Sequence, residues 1–269
     1  MQTLLTRQPL LSYFLLAYFY TWVIEVPMLL AARGYVDLHM PLALEALASF
    51  GPFAAALTVV HFTQGRTAIR RLLVSLTDWR VSPGWLAFAI LSPFAVLFAA
   101  LAMTGETDKL LTGELSRNLV ASGKMFELVV LGGILRGIGE EPGWRGYALP
   151  VLRSRFGPLL ATLVLWPLWL CWHLPSFLMR PEFEWSAWLG FSAGVLSAAI
   201  WFTFMYDATR SVLLAAIWHA LINICRGFAL AASAAAFMAF AQVVLLVAVL
   251  LIVYWLVRRP KPYALIEQC

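Results

Sequence analysis

The sequence predicts an all-α protein, a polytopic bundle of transmembrane helices. Of its 269 residues, 62% are hydrophobic and 12% are charged, whereas soluble proteins carry charge on about a quarter of their residues. The apolar residues are gathered into runs of about 20, which is the length that a helix needs to cross the hydrocarbon core of a bilayer. Because lipid offers no hydrogen-bond partner to a peptide group, each run is expected to be a helix.

About eight runs are long and apolar enough to be spans. The first run is too long for a signal-peptide core and lacks a small-residue cleavage site, so it is expected to remain attached. No change of composition marks a second domain, and residues 1–269 are therefore predicted to form a single transmembrane domain. The predicted spans are 9–32, 42–62, 84–103, 124–146, 158–179, 186–206, 210–227 and 234–257.

The basic residues predict the orientation of the bundle. Of the 19 Lys and Arg, a cytoplasmic N-terminus places eleven in inner connections and six in outer connections, with the other two, Arg136 and Arg145, at membrane depth. The excess on the inner side predicts that both termini are cytoplasmic. The basic residues are scattered between apolar runs rather than clustered in a stripe, which argues against a nucleic acid partner.

The fourth predicted span carries two adjacent glutamates in the stretch GEEPGWRGYALPVL. A charged group near the bilayer centre costs a few kcal/mol, so such residues tend to be functional. Arg145 follows Glu141 by four residues, within ion-pair reach on a helix, and Pro142 with Gly143 is expected to loosen the helix locally. Glu140 is then left in a low-dielectric site beside a like charge, which suits a general base. The alternative is an interfacial turn whose charges face water.

Two further predicted helices carry polar residues inside apolar runs. His173 lies in WLCWHLP, and His219 and Asn223 lie four residues apart in SVLLAAIWHALINI, on one helical face. Each could be a packing hydrogen bond between helices. Together with the buried acidic pair, they would supply a base that activates water, imidazoles that orient the water or hold a metal, and an amide that stabilises an oxyanion. That set suits peptide-bond hydrolysis.

The stretches EEPGWRGYALPVL, WLCWHLP and SVLLAAIWHALIN, in this order on separate predicted helices, resemble the CPBP family, also called Abi. This family contains CAAX-protease-like and bacteriocin-processing intramembrane proteases. Its first motif, E-E-x-x-x-R, matches Glu140, Glu141 and Arg145. Its third motif, H-x-x-x-N or H-x-x-x-D, matches His219 and Asn223.

The second motif of the family, F-x-x-x-H, matches His173 with one departure. The position four residues before it is Trp169 instead of Phe, which keeps an aromatic side chain. The stretch that carries the motifs covers about 124–230 and is expected to be the catalytic core. By the same resemblance, Glu141 and Arg145 would brace the site.

The resemblance implies an endopeptidase that works within the membrane. Glu140 would activate water together with His173, while His219 and Asn223 would polarise the scissile carbonyl and hold the oxyanion. The expected substrates are hydrophobic peptides, either lipidated (CAAX-like), embedded in the membrane or bacteriocin-like. The protein is expected to be an integral multi-pass protein of the bacterial cytoplasmic membrane, in contact with membrane lipid.

The sequence leaves open whether a metal cofactor takes part in the reaction. Glu140, His173 and His219 are a plausible ligand set for a catalytic divalent metal such as zinc. The H-E-x-x-H helix of soluble zinc proteases is absent from the sequence. A glutamate mechanism without a cofactor fits the same residues, and we favour it slightly over the metalloprotease.

Two other functions compete with hydrolysis. In a proton-coupled transporter, Glu25, Glu45, Glu140 and the histidines would form a relay, although no pair of similar, broken halves is visible in the sequence. In a non-catalytic immunity or scaffold protein, the motif residues would serve packing only. pH-driven flux that is lost in Glu140→Gln would favour the transporter. A cellular phenotype that survives mutation of the motif residues would favour the immunity or scaffold protein.

Small residues recur at a spacing of four in the fourth predicted span, at Gly133 and Gly137 and at Gly139 and Gly143. This spacing permits close approach of two helices. The sequence does not distinguish contact inside one chain from contact between two copies, so a homo-oligomer is left open.

The predicted spans place two site residues at different depths. Glu140 falls near the inner end of the fourth span, whereas His173 falls near the outer end of the fifth. Either the fourth helix continues through Tyr147 toward Arg153, or the fifth helix tilts or bends at Pro167.

Overall fold

A computed structural model describes residues 4–41, 43–180 and 184–263 of the chain. Within these ranges the regular structure is helical and contains no β-strand, which confirms the all-α prediction. The first residue of the predicted span 42–62 lies outside the described ranges.

The helices are numbered in chain order, and π-helical segments precede and follow α10. They are α1 (Leu4–Arg7), α2 (Pro9–Ala32), α3 (Ala43–Ala48), α4 (Gly51–Gln64), α5 (Arg66–Val74), α6 (Pro83–Thr104), α7 (Thr107–Leu111), α8 (Glu114–Ala121), α9 (Lys124–Phe126), the π segment Glu127–Leu135, α10 (Arg136–Gly143), the π segment Trp144–Ala148, α11 (Leu149–Arg153), α12 (Pro158–Trp172), α13 (Leu174–Leu178), α14 (Trp185–Thr209), α15 (Val212–Ala232) and α16 (Ala234–Arg258).

Six helical stretches in the described ranges are long and apolar enough to cross a membrane, which makes the protein an integral multi-pass membrane protein. A seventh results if Glu114–Ala121 and Lys124–Arg153, which meet at 107°, are counted as one span. The predicted number of about eight is therefore not confirmed, and the cytoplasmic placement of the termini stays a prediction. The six stretches are Pro9–Ala32, Ala43–Gln64, Pro83–Thr104, Trp185–Thr209, Val212–Ala232 and Ala234–Arg258.

The predicted span 158–179 is divided in the structure. Helix α12 ends at Trp172, and α13 is a separate short helix that begins at Leu174. Pro175 lacks a backbone N–H and disfavours a helical conformation in the residue before it, which accounts for a break at this point. At 15 residues, α12 is about 22 Å long and is shorter than a typical span. His173 is therefore held at a helix end rather than inside a helix.

The stretch from Lys124 to Arg153 is helical throughout. Its two π segments flank α10, and the second begins directly after Pro142 and Gly143. Proline removes one hydrogen bond from the ladder, and single-turn π segments are typical of functional sites in helices. The helix therefore continues through Tyr147, as the first of the two alternatives predicts, and Glu140 lies near its middle. The depth of Glu140 in the membrane stays a prediction.

The four spaced glycines make close contacts inside the chain. A Cβ atom added to Gly137 would lie 2.5 Å from the carbonyl oxygen of Ala216 in α15, and one added to Gly143 would lie 2.5 Å from the carbonyl oxygen of Pro52 in α4. Gly133 likewise faces α15, and Gly139 faces the turn that precedes α4. The small residues thus allow α10 to be clamped between two helices of its own chain. A homo-oligomer remains untested.

Replacement of Gly137 by Ala is expected to destabilise the fold by about 1–3 kcal/mol, because the new methyl group overpacks the contact with Ala216. Unfolding of the purified protein in detergent micelles, followed by circular dichroism, measures this change. Gly194→Ala is the matched control, since nothing lies within 4 Å of its added Cβ. Equal melting temperatures for the two variants would contradict the close packing of α10 on α15.

Helix α2 holds the end of α12 in place. The Tyr18 hydroxyl donates to the carbonyl oxygen of Leu168 at 2.6 Å, and the Trp22 indole donates to the carbonyl oxygen of Trp172 at 3.0 Å. The Trp172 indole in turn donates to the Thr21 hydroxyl at 2.8 Å. Each of these bonds satisfies a polar group that lipid could not satisfy. They fix the helix end at which the second motif lies.

Candidate active site

The first motif lies on α10 in a fully enclosed position. The Glu140 and Glu141 side chains are 1% and 0% exposed, and Arg145 is 1% exposed. Buried charges need partners, because their hydration is lost. The alternative of an interfacial turn whose charges face water is therefore wrong.

Glu141 is held by two donors. Its Oε1 accepts from Nη1 of Arg145 at 2.9 Å and from Nδ1 of His219 at 2.6 Å. The structure thus contains the pair that the four-residue spacing predicts, and it adds a link to the third motif on α15. Glu141 neutralises Arg145 and orients the His219 ring at the same time.

Arg145 is enclosed by aromatic faces. The centre of its guanidinium lies 3.8 Å from the ring centroid of Phe202 and 4.3 Å from that of Trp169. Cation–π contacts of this kind gain strength when they are desolvated. Phe202 lies on α14, outside the three motifs, and nothing in the sequence pattern distinguishes it from other apolar residues.

Glu140 has one fixed oxygen and one free oxygen. Its Oε2 accepts from Nε1 of Trp169 at 3.0 Å, whereas its Oε1 is buried without a hydrogen-bond partner among the described residues. A buried carboxylate oxygen without a partner is costly. A water molecule at Oε1 would satisfy it, and Oε1 is the atom that could then take the proton of that water.

The two histidines are both fixed through Nδ1. In His173, Nδ1 lies 2.8 Å from the carbonyl oxygen of Trp169, and in His219, Nδ1 lies 2.6 Å from Oε1 of Glu141. A carbonyl oxygen only accepts, so Nδ1 of His173 carries its proton and Nε2 keeps a lone pair. An Nδ1–H that donates to a backbone carbonyl or a carboxylate is the usual way to orient an imidazole for chemistry at Nε2.

Trp169 is the residue around which the motifs meet. Its indole ring lies 5.6 Å from the ring of His173 and 6.1 Å from the ring of His219. From the sequence, Trp169 is interpreted only as an aromatic replacement for Phe. Its indole N–H, which Phe lacks, could have predicted a hydrogen bond to the carboxylate of the first motif. The predicted site residues that bond to Trp169 or pack on it are Glu140, Arg145, His173 and His219.

Asn223 makes a hydrogen bond that the sequence did not predict. Its amide Nδ2 donates to the carbonyl oxygen of Gly132 at 3.1 Å, in the π segment of the first motif's helix. An amide has two N–H donors, so one remains for another acceptor. The structure therefore gives Asn223 a role in joining α15 to this helix, and its contact with an oxyanion stays a prediction.

The candidate metal ligands do not form a preassembled set. In the described part of the chain, no group of three His, Cys, Asp or Glu side chains is placed to hold a metal ion. This statement includes Glu140, His173 and His219.

A second polar cluster lies beside Glu140. Arg136 donates to Oε1 of Glu45, which joins α10 to α3. Glu25 on α2 is 4% exposed, and one of its oxygens lacks a hydrogen-bond partner among the described residues. Sequence reasoning singled out Glu25 and Glu45 but did not pair Glu45 with Arg136.

Trp169→Phe is expected to lower kcat by about 10- to 100-fold with little change in KM, because a hydrogen bond to a charged group is worth about 1.5–3 kcal/mol. The ring remains, so the packing on Arg145 is kept. The control is Trp166→Phe on the same helix, which removes an indole bond of 3.2 Å to the carbonyl oxygen of Ser192. If both variants kept wild-type kcat, the indole N–H would have no part in positioning Glu140.

Comparisons with known proteins agree with the motifs. Residues 123–225 match the model of the Rce1-like family, described as type II CAAX prenyl endopeptidase Rce1-like. A curated relative, CAAX prenyl protease 2 of Methanococcus maripaludis, is 36% identical over 93 residues, which cover 32% of this chain and 34% of the relative. The matched stretch thus spans about a third of the length of that relative. These findings support the resemblance to the CPBP family that the three motifs indicate.

Proposed function

We propose that this chain is an intramembrane endopeptidase that hydrolyses a peptide bond of a hydrophobic, membrane-held peptide. The observation that carries the proposal is the asymmetry of Glu140, whose Oε2 is held by Trp169 while its buried Oε1 has no partner among the described residues. Two imidazoles with fixed Nδ1 atoms are gathered around the same tryptophan. The match to the family supports the reaction class.

The proposed reaction begins with a water molecule at Oε1 of Glu140. Oε1 takes one proton as the water oxygen attacks the scissile carbonyl carbon, and the carbonyl electron pair moves to its oxygen. Nε2 of His173 accepts a hydrogen bond from the other O–H of the water and so orients it. The proton on Glu140 then passes to the amide nitrogen and the C–N bond breaks, which gives an amine and a carboxylic acid; the acid then loses its proton to the amine.

The developing oxyanion needs donors. His219 would donate from Nε2 while its Nδ1 stays bonded to Glu141, and the second N–H of Asn223 would be the other donor. Glu141 and Arg145 take no proton in this scheme. They hold His219 and, through the Trp169 ring, the base in position.

The proposed substrates are lipidated CAAX-like peptides, other membrane-embedded peptides or bacteriocin-like peptides. The name of the curated relative, CAAX prenyl protease 2, supports the first of these. A site formed by three helices within an apolar bundle also favours a substrate that partitions into the membrane.

The test is incubation of the purified full chain with prenylated, membrane-embedded and bacteriocin-like peptides, with mass spectrometry of the products. We expect cleavage by the wild type and cleavage at least about 100-fold slower by Glu140→Gln. Glu127→Gln, an exposed change on the same helix, serves as the control and keeps activity. A parallel arm with a zinc chelator separates the mechanisms, since loss of activity that added zinc restores would identify a metalloprotease. Turnover by Glu140→Gln at the wild-type rate would reject the proposal.

A proton-coupled transporter is the second candidate, because Glu25 is buried, has a carboxylate oxygen without a partner among the described residues and has no part in the proposed hydrolysis. Proteoliposomes with an internal pH dye would test it. Flux that Glu25→Gln removes, in protein that cleaves no peptide, would favour transport over hydrolysis.

A further inference from the structure

The connection between the spans Ala43–Gln64 and Pro83–Thr104 carries a basic helix, α5. The chain turns at Gly65, where φ is 80°, and α5 begins directly after this turn. Because both neighbours of the connection are spans, α5 lies where the bundle meets one surface of the membrane. The connection, 65–82, contains four arginines and one aspartate, and its excess of basic residues predicts that this surface is cytoplasmic.

The outer face of α5 combines positive charge with exposed apolar side chains. Arg66 and Arg70 are exposed and lie one helical turn apart. Leu73 and Val74 follow on the same face, seven and eight residues after Arg66, and each is 47% exposed. Trp79, further along the same connection, is 61% exposed. Apolar side chains beside arginines, with Trp nearby, are typical of the interface between water and lipid.

The arginines of α5 have no acidic partner in the described part of the chain. Arg80 is paired with Asp78, whereas Arg66, Arg70 and Arg71 make no ion pair within the described ranges. A guanidinium binds phosphate through two parallel hydrogen bonds. Clusters of basic residues at the cytoplasmic end of a span attract anionic lipids for this reason and by their charge.

The inner face of α5 packs on the helix of the first motif. Ala68 and Leu72 are 5% and 7% exposed. Cδ1 of Leu72 lies 2.9 Å from the position that a Cβ atom of Gly146 would take, so this side chain packs directly on the backbone of the second π segment. Gly146 follows Arg145, which is paired with Glu141. Helix α5 therefore joins the membrane surface to the part of the helix that carries the buried ion pair.

We infer that the outer face of α5 binds anionic lipid headgroups, with its arginines on the phosphates and with Leu73 and Val74 against the acyl chains. The partner is an intact lipid, because a free phosphate compound would leave the apolar side chains of this face exposed. Bound lipid stabilises the packing of Leu72 on Gly146, since only the folded chain presents this face. The inference does not depend on the proposed peptidase function, because the surface lies outside the candidate site.

The experiment titrates the purified full chain, in neutral detergent micelles, with phosphatidylglycerol and with phosphatidylcholine. Native mass spectrometry counts the bound lipid molecules, and circular dichroism follows thermal unfolding. We expect the wild type to bind phosphatidylglycerol more tightly and to gain melting temperature from it alone. Arg66→Gln combined with Arg70→Gln should weaken the binding of phosphatidylglycerol by about 25-fold, or about fivefold for each arginine. The same variant should lose most of the gain in melting temperature and bind phosphatidylcholine as the wild type does.

Two further variants test the site itself. Arg258→Gln combined with Lys261→Gln removes the same charge from exposed positions at the end of α16 and should keep both the binding and the gain in melting temperature. Leu73→Ser combined with Val74→Ser keeps the arginines and should weaken the binding of both lipids.

Three results would overturn the inference. The first is unchanged binding of phosphatidylglycerol when both α5 arginines are replaced, and the second is an equal loss in the control at the end of α16, which would indicate general charge attraction. The third is competition by glycerol phosphate as strong as that by the intact lipid, which would indicate a site for a free anion. Protein that binds phosphatidylglycerol as described but cleaves no peptide would reject the proposed function and support this inference.

Discussion

Glu140→Gln is expected to lower kcat for peptide hydrolysis by about 10²–10⁴-fold, the usual contribution of a general base. The amide keeps the size of the side chain and an oxygen that can accept from Trp169, but it places an NH₂ group where the free carboxylate oxygen Oε1 lies. That group cannot take a proton from water. The measurement is single-turnover cleavage of a peptide identified with the wild-type protein.

The same substitution leaves the fold in place. The buried charge of Glu140 is removed and its bond to Trp169 is kept, so the melting temperature in detergent should stay at or above that of the wild type. Glu127→Gln, on the exposed side of the same helix, should match the wild type in both rate and stability. A Glu140→Gln rate within threefold of the wild type would show that another group activates the water.

Glu141→Ala is expected to have the largest effect on stability, a loss of about 3–5 kcal/mol, because it leaves the buried guanidinium of Arg145 without its counter-ion. It also frees Nδ1 of His219, which loses a partner at 2.6 Å. We therefore expect poor folding and, in whatever protein folds, no activity. Denaturant unfolding in mixed micelles measures the first effect.

A double variant separates charge from packing. Glu141→Gln combined with Arg145→Met removes both charges, and replacing a buried pair by neutral side chains of similar volume is often tolerated. We expect stability to recover and activity to stay low, because the substituted amide is a weaker, neutral acceptor for His219 than the carboxylate of Glu141. Asp78→Ala is the surface control, since it breaks an ion pair with the exposed Arg80 and should leave stability nearly unchanged. A Glu141→Ala protein as stable as this control would contradict the assigned role of the buried pair.

Hydropathy predicts the helical class and most of the membrane helices, because it follows from composition and run length alone. It does not predict that the fifth span is divided at His173, which depends on the local conformation around Pro175. Nor does it predict that the fourth helix passes Pro142 by adopting a π segment. Both features depend on how single residues change the backbone hydrogen bonds.

The candidate site is predictable as a set of residues but not as a set of contacts. Spacing predicts the Glu141–Arg145 pair, because both lie on one helix. The bond from Trp169 to Glu140 joins residues 29 positions apart, and such contacts are decided by helix packing. The bond from the Asn223 amide to the backbone of Gly132 shows the same limit, since it too joins two separate helices.

The central claim is that Glu140, His173 and His219 share one water molecule, and an experimental structure of the wild-type protein in a lipid nanodisc, at a resolution that shows ordered solvent, tests it most directly. We predict a water within about 2.6–3.2 Å of Oε1 of Glu140 and within hydrogen-bond distance of Nε2 of His173, with the His219 ring facing it. A Glu140 carboxylate that is turned away from both rings, or an Oε1 bonded to another side chain with no solvent between these residues, would contradict the account.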